Sequence, residues 1–244
     1  MRYYLCIIAM LFCIASQSQQ TAIIIPANID SFISFNKTFE LNESKQAPPG
    51  KASFEFKPGT RKILFIAGHA TAHKRNGEKK SADNGTGALA VSLNKLVNVP
   101  VLYTTFLSES DPNTEDNNAF KDTLAKIVAK LKPIFVIDLH TSDPSRPYEI
   151  DFGTLDGISF LNRKDLFEKL KNIFKNEGLA NQSKDFFSAE KHKTITKFLH
   201  GKKVPCIQLE INANNLNPEK GNLQAQRTAQ LLQGLVRFVN TSVN

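Results

Sequence analysis

The sequence predicts one α/β domain, with a mixed, mostly parallel central sheet and helices on both faces. Three observations carry this. From residue 61 onward, short apolar runs rich in β-branched and aromatic residues alternate with longer segments of helical period, the mark of a parallel sheet covered by crossover helices. The 244 residues, 41% hydrophobic and 22% charged, suffice for one large core. No internal repeat or low-complexity tract divides the chain.

The elements follow in order. Arg2 precedes an apolar run, LCIIAMLFCIA, and then the small and polar SQSQQ. That run is too short for a spanning helix and ends in small residues, so residues 1–18 read as a secretory signal peptide. The expectation is a secreted or periplasmic domain over 19–244, with no stable membrane insertion once the leader is cleaved. Cleavage removes Cys6 and Cys13 and leaves Cys206 inside the apolar run VPCIQLEI, which excludes an internal disulfide and argues against a cysteine nucleophile. Residues 20–60 contain Pro48, Pro49, Gly50, Pro58 and Gly59 and read as edge strands and turns. Next come a strand in RKILFIAGH, a helix in GALAVSLNKLVN, a strand in VPVLYTTFL, an amphipathic helix in NNAFKDTLAKIVAKLK and a strand in PIFVIDLH. A hairpin-like YEIDFGTLDGISFL, a helix over 163–176, a polar loop, the strand VPCIQLEIN and a long C-terminal helix complete the pattern.

The formal net charge is +8, but its lysines are scattered along the helices and no aromatic interleaving accompanies them. The basicity therefore suits solvation and attraction of a small anionic amide or peptide substrate, with no nucleic-acid partner.

Ligands of open α/β sheets sit beyond the carboxyl ends of the strands. Three apolar runs end there in His69, His140 and Glu210. Imidazoles and carboxylates are the usual ligands of a catalytic zinc, which takes three protein groups and keeps one position open. The third ligand must come from a loop. Between His69 and the next helix the chain offers His73, Glu78 and Asp83; Asp83 is preferred because it abuts the helix start, with Glu78 as the alternative. Asp138 shares the face of His140 and suits an outer-shell role. Glu210 then serves as general base and acid. Arg146, stiffened between Pro144 and Pro147, suits a substrate carboxylate. Asn212 lies two residues past Glu210 on the same face, and Arg75 offers a second cation. His200 and His192 are further candidates for lining the cleft and stabilising an oxyanion.

Four short motifs also carry a likeness. GH after the first core strand, Asp83-Asn84-Gly85-Thr86 opening a helix, DLH with Arg146-Pro147 downstream, and QLEIN near the last strand together resemble the N-formylglutamate amidohydrolase family, over roughly residues 61–240. The DNGT element is also similar to that of poly-γ-glutamate hydrolases. The resemblance implies a zinc-exopeptidase-like, phosphorylase/hydrolase-type fold, with His69, Asp83 and His140 on one zinc ion and Glu210 as catalyst. Both families cleave amides beside a glutamate carboxylate, which implies a secreted zinc-dependent hydrolase of an N-acyl-glutamate, γ-glutamyl or peptide substrate. The segment GHATAH departs from the family's usual proline-histidine-glycine sequence at this point. The alternative expectation is a catalytically inactive binding protein of the same fold that captures an anionic peptide or glycan.

Overall fold

The computed structural model describes residues 21–242, so the signal-peptide assignment at 1–18 lies outside the described residues. Its elements are α1 (Pro26–Asn42), β1 (Phe54–Lys57), β2 (Ile63–Ala67), β3 (His73–Arg75), β4 (Glu78–Lys80), α2 (Thr86–Val97), β5 (Val101–Thr104), α3 (Ala119–Leu131), β6 (Phe135–Ser142), β7 (Ile150–Gly153), α4 (Lys164–Asn176), β8 (Gln182–Lys184), α5 (Ile195–Gly201), β9 (Cys206–Asn212) and α6 (Asn222–Ser242). The sheet runs β1-β5-β2-β6-β9-β7-β8, with β3 and β4 as a separate hairpin. Strands β5, β2, β6 and β9 are parallel; β1 runs against β5, and β7 and β8, parallel to each other, run against β9. The α/β class, the mixed but mostly parallel sheet and the helices on both faces are as the alternation implies.

Two apolar layers sandwich the sheet. Phe65, Tyr103, Phe135 and Leu209 pack toward α1, α2, α4 and α6, and Leu64, Ile66, Leu102 and Val136 toward α3 and α5. The strands alternate between two buried faces, which is why they read as continuous apolar runs.

Three local readings need correction. Residues 26–42 form a helix rather than edge strands. Pro26 sets its first turn, but Ser, Asn, Thr and Phe spread its apolar positions around the axis, so the helical period is faint. Packing secures it instead: Phe32 is fully buried, and the Phe39 ring lies where a side chain on Gly87 of α2 would stand. The supposed hairpin after β7 is a series of turns: β7 pairs with β9 on one edge and β8 on the other, and Leu155, Asp156 and Leu161 adopt positive φ. Part of the supposed polar loop before β9 is α5, capped by the Thr194 side chain accepting from Lys197 N–H. No helix among the described residues is long and apolar enough to cross a membrane.

Candidate metal and catalytic site

The site lies at the carboxyl ends of β2, β6 and β9. His69 leaves a turn closed by the Ala70 N–H donating to the Ala67 carbonyl, 3.3 Å. Asp83 is tied to it through the backbone, its N–H donating to the His69 carbonyl at 2.7 Å. The Asp83 carbonyl in turn accepts from the Thr86 hydroxyl at 2.7 Å, which anchors this residue to the start of α2. His140 stands within β6, directly across from Glu210 of β9 in the parallel register.

These backbones bring three side chains together. Asp83 Oδ2 is 2.7 Å from His140 Nδ1 and 3.5 Å from His69 Nδ1, and the ligand-type atoms of the three residues lie within 4.8 Å of one another. Each ring is held from behind by a fully buried carboxylate: Asp111 Oδ1 at 2.8 Å from His69 Nε2, and Asp138 Oδ2 at 3.1 Å from His140 Nε2. An imidazole that presents one nitrogen forward and gives the other to a carboxylate is the usual dress of a metal-ligating histidine. The donor set, two nitrogens and one carboxylate oxygen, is of a kind that can hold a metal ion.

The electrostatics agree. Burial pushes the Asp83 carboxyl up, but the His140 and His69 rings beside it prevail and hold it well below the usual carboxylate range. Burial likewise lowers His140, yet Asp138 and Asp83 outweigh it and hold this imidazole well above its ordinary value. Asp111, drawn down by His69 against its own burial, and His69, raised by Asp111 and Asp83 against its burial, follow the same pattern. Asp83, Asp111 and Asp138 thus surround the His69 and His140 rings with negative charge, which favours a cation between them.

Glu78 is exposed on β4 and ion-paired to Lys80 at 2.8 Å, so Asp83 is the acid at the histidines. His73 stacks on His69 with centroids 3.9 Å apart and is driven down to about 4 by burial and the neighbouring His69. It approaches Asp111 Oδ2 at 3.6 Å, but that same oxygen already accepts from the Arg75 guanidinium at 2.6 Å, while Oδ1 faces His69. His73 therefore braces the site from behind, while Arg75 steadies Asp111 from the wall of the cleft.

Glu210 faces the cleft, half-buried, with Oε1 accepting from Gln208 Nε2 at 2.8 Å. Burial pushes its carboxyl up to about 7. The cleft, about 520 Å³, is lined by His69, Asp83, His140 and Glu210 on its floor, with Arg146, His192 and the Phe186-Phe187 pair among its walls.

Two candidates for substrate binding are placed elsewhere. Asn212 is spent on the chain itself: its amide group donates to the carbonyls of Pro144, Arg146 and Tyr148 at 3.1–3.3 Å, and its oxygen accepts from Asn214 N–H. It positions the loop that carries Arg146 rather than contacting a ligand. Asn212→Ala strands the buried Tyr148 carbonyl at a cost of about 1–3 kcal/mol. The expected outcome is a lower Tm together with a KM raised more than kcat is lowered, checked by thermal melting and steady-state kinetics. His200 sits on the last turn of α5, its backbone against the Cys206 thiol at the opposite end of β9 from Glu210, and it does not line the cleft. Cys206 is buried, and burial pushes its thiol far up, as expected of an inert residue.

Asp111 and Asn113 escaped the sequence reading. Asn113 bridges the site to α5, accepting from Ile195 N–H at 2.8 Å while its Nδ2 lies 3.2 Å from His140 Nε2. Both belong to a polar segment that follows β5, itself a strand ending at the same edge of the sheet, but six residues separate Asp111 from that strand and no regular spacing marks it.

No protein-family model and no curated protein sequence matches the chain. Among solved structures it is similar to the N-formylglutamate amidohydrolase of Ralstonia eutropha, with TM-score 0.53 and 13% identity over 79% of this chain and 100% of that one. It is similar also to a gene product of Agrobacterium tumefaciens, with TM-score 0.55 and 13% identity over 79% and 96% of the two chains. A bacteriophage poly-gamma-glutamate hydrolase gives TM-score 0.50 and 14% identity over 80% and 90%. Both families that the four motifs resemble are therefore present among the structural neighbours, and at these identities the likeness is one of fold.

Proposed function

We propose that this chain is a secreted, zinc-dependent hydrolase of an amide bond adjacent to a carboxylate. The observation that carries the reading is the convergence of two histidine Nδ1 atoms and one Asp83 oxygen, each ring backed by its own buried carboxylate, opposite Glu210. The neighbours named as an amidohydrolase and a poly-gamma-glutamate hydrolase support the reaction class. His69, Asp83 and His140 would hold zinc, and zinc bound there would polarise the amide carbonyl and acidify a water.

Glu210 takes the proton from the attacking water and hands it to the departing nitrogen. Its placement across from His140 in the β6–β9 ladder aims it at the same point as the ligand atoms. Arg146 receives the substrate carboxylate, its loop held by Asn212, and so sets which carbonyl reaches the floor of the cleft. Asp138 and Asp111 fix the orientation of the two rings.

The test is elemental: protein purified in zinc-replete buffer is expected to carry about one zinc per chain. Metal-free protein after such treatment overturns the reading. A pH profile adds a second check. Glu210 works deprotonated, so kcat/KM falls as acid protonates it. Burial sets its midpoint near about 7 and a nearby cation draws it lower, so the acid limb is expected at or below pH 7. N-terminal sequencing of the exported protein checks the leader.

A further inference from the structure

Phe186 is 50% exposed at the cleft, an unusual place for a phenyl ring in a protein with ample core. It is not a loose loop tip. The N–H groups of Phe186 and Phe187 donate to the two oxygens of Asp151, at 3.2 and 2.9 Å, and the Ser183 hydroxyl adds a third bond at 2.7 Å. Asp151 is fully buried in β7, directly across from Glu210 in the antiparallel register with β9. Gly153, two residues on, has no room for a side chain: a Cβ there would lie 2.5 Å from the Phe187 carbonyl. A buried carboxylate and a glycine therefore hold two aromatic rings outward beside the catalytic strand.

The rings are also tied to the cation of the cleft. The Arg146 guanidinium lies over both, 5.5 Å from the Phe186 centroid and 5.0 Å from that of Phe187, and Tyr148 meets the edge of Phe186 at 5.3 Å. A carboxylate gripped by Arg146 thus carries its neighbouring side chain onto the aromatic wall. A second carboxylate is ill suited to that wall, because it would lose water against the negative faces of the rings.

We propose that Phe186 and Phe187 form a subsite for an aromatic or branched-alkyl side chain, so that the substrate is an N-acylated apolar amino acid rather than an acidic one. This rests on the amide-hydrolase reading above and specifies its substrate class.

Binding can be measured apart from turnover. Zinc-loaded Glu210→Gln protein, titrated calorimetrically, is expected to bind N-acetyl-L-phenylalanine roughly tenfold more tightly than N-acetyl-L-glutamate, the gain from covering about half a phenyl ring. Adding Phe186→Ala is expected to erase most of that preference while leaving the glutamate compound within about twofold, and Phe186→Leu to keep it. Tighter binding of the glutamate compound, equal weakening of both by Phe186→Ala, or binding of neither overturns the subsite. If the preference is found but the wild-type protein hydrolyses neither compound, the subsite stands and the hydrolase reading falls.

Discussion

Glu210→Gln is expected to lower turnover by about 10²–10⁴-fold while zinc content stays at its wild-type level. The amide is nearly the same shape as the carboxylate and its carbonyl still accepts from Gln208, so the floor of the cleft keeps its form. What disappears is the group that takes and returns the proton. Thermal stability is expected to hold or rise slightly, because a partly buried carboxylate, pushed up by burial to about 7, is replaced by a neutral group. A loss of turnover without loss of metal or fold separates a proton carrier from a ligand or a structural residue. Retention of turnover within about tenfold would remove Glu210 from the mechanism.

His140→Ala is expected to act on a different quantity. It takes away one ligand and leaves Asp138 and Asp83 facing each other across an emptied position without the imidazole that partners both. Zinc affinity is expected to fall more than about a hundredfold, beyond the 10–100-fold typical of losing an outer-shell partner. Asp138→Asn provides that smaller comparison. Because Asp138 is fully buried, stripping its partner also costs the metal-free protein about 3–5 kcal/mol, visible in denaturant unfolding. Full zinc occupancy in His140→Ala would refute the ligand assignment.

Much of this was readable in the sequence, for a physical reason. An apolar strand buried on both faces must become polar where it leaves the sheet, so residues 135–142 announce both the strand and its polar end, and the placement of His69 and Glu210 at the same edge yields to the same argument. Side-chain alternation assigns Asn212 to the face of Glu210, two residues away, yet its side chain does not line the cleft. Alternation is silent on who accepts its hydrogen bonds, and three loop carbonyls from 64 to 68 residues away do so. Asp111 and Asp151 were hidden differently. Each is a single acid whose meaning comes from a partner distant in the chain, His69 for one and the Phe186-Phe187 backbone for the other. The helix at 26–42 was missed because long-range packing against α2 specifies it more than its own pattern does.

The parallel ladder that sets His140 against Glu210 also dictates when the centre can exist during folding. Its strands are separated by about seventy positions of chain, and β2 must join β6 from as far on the other side before His69 arrives. Such non-local parallel pairings form slowly, after local helices. In a refolding experiment far-UV helical signal should therefore recover first, and tight zinc uptake only in the last phase, which makes the ion a clock for the closing of the sheet.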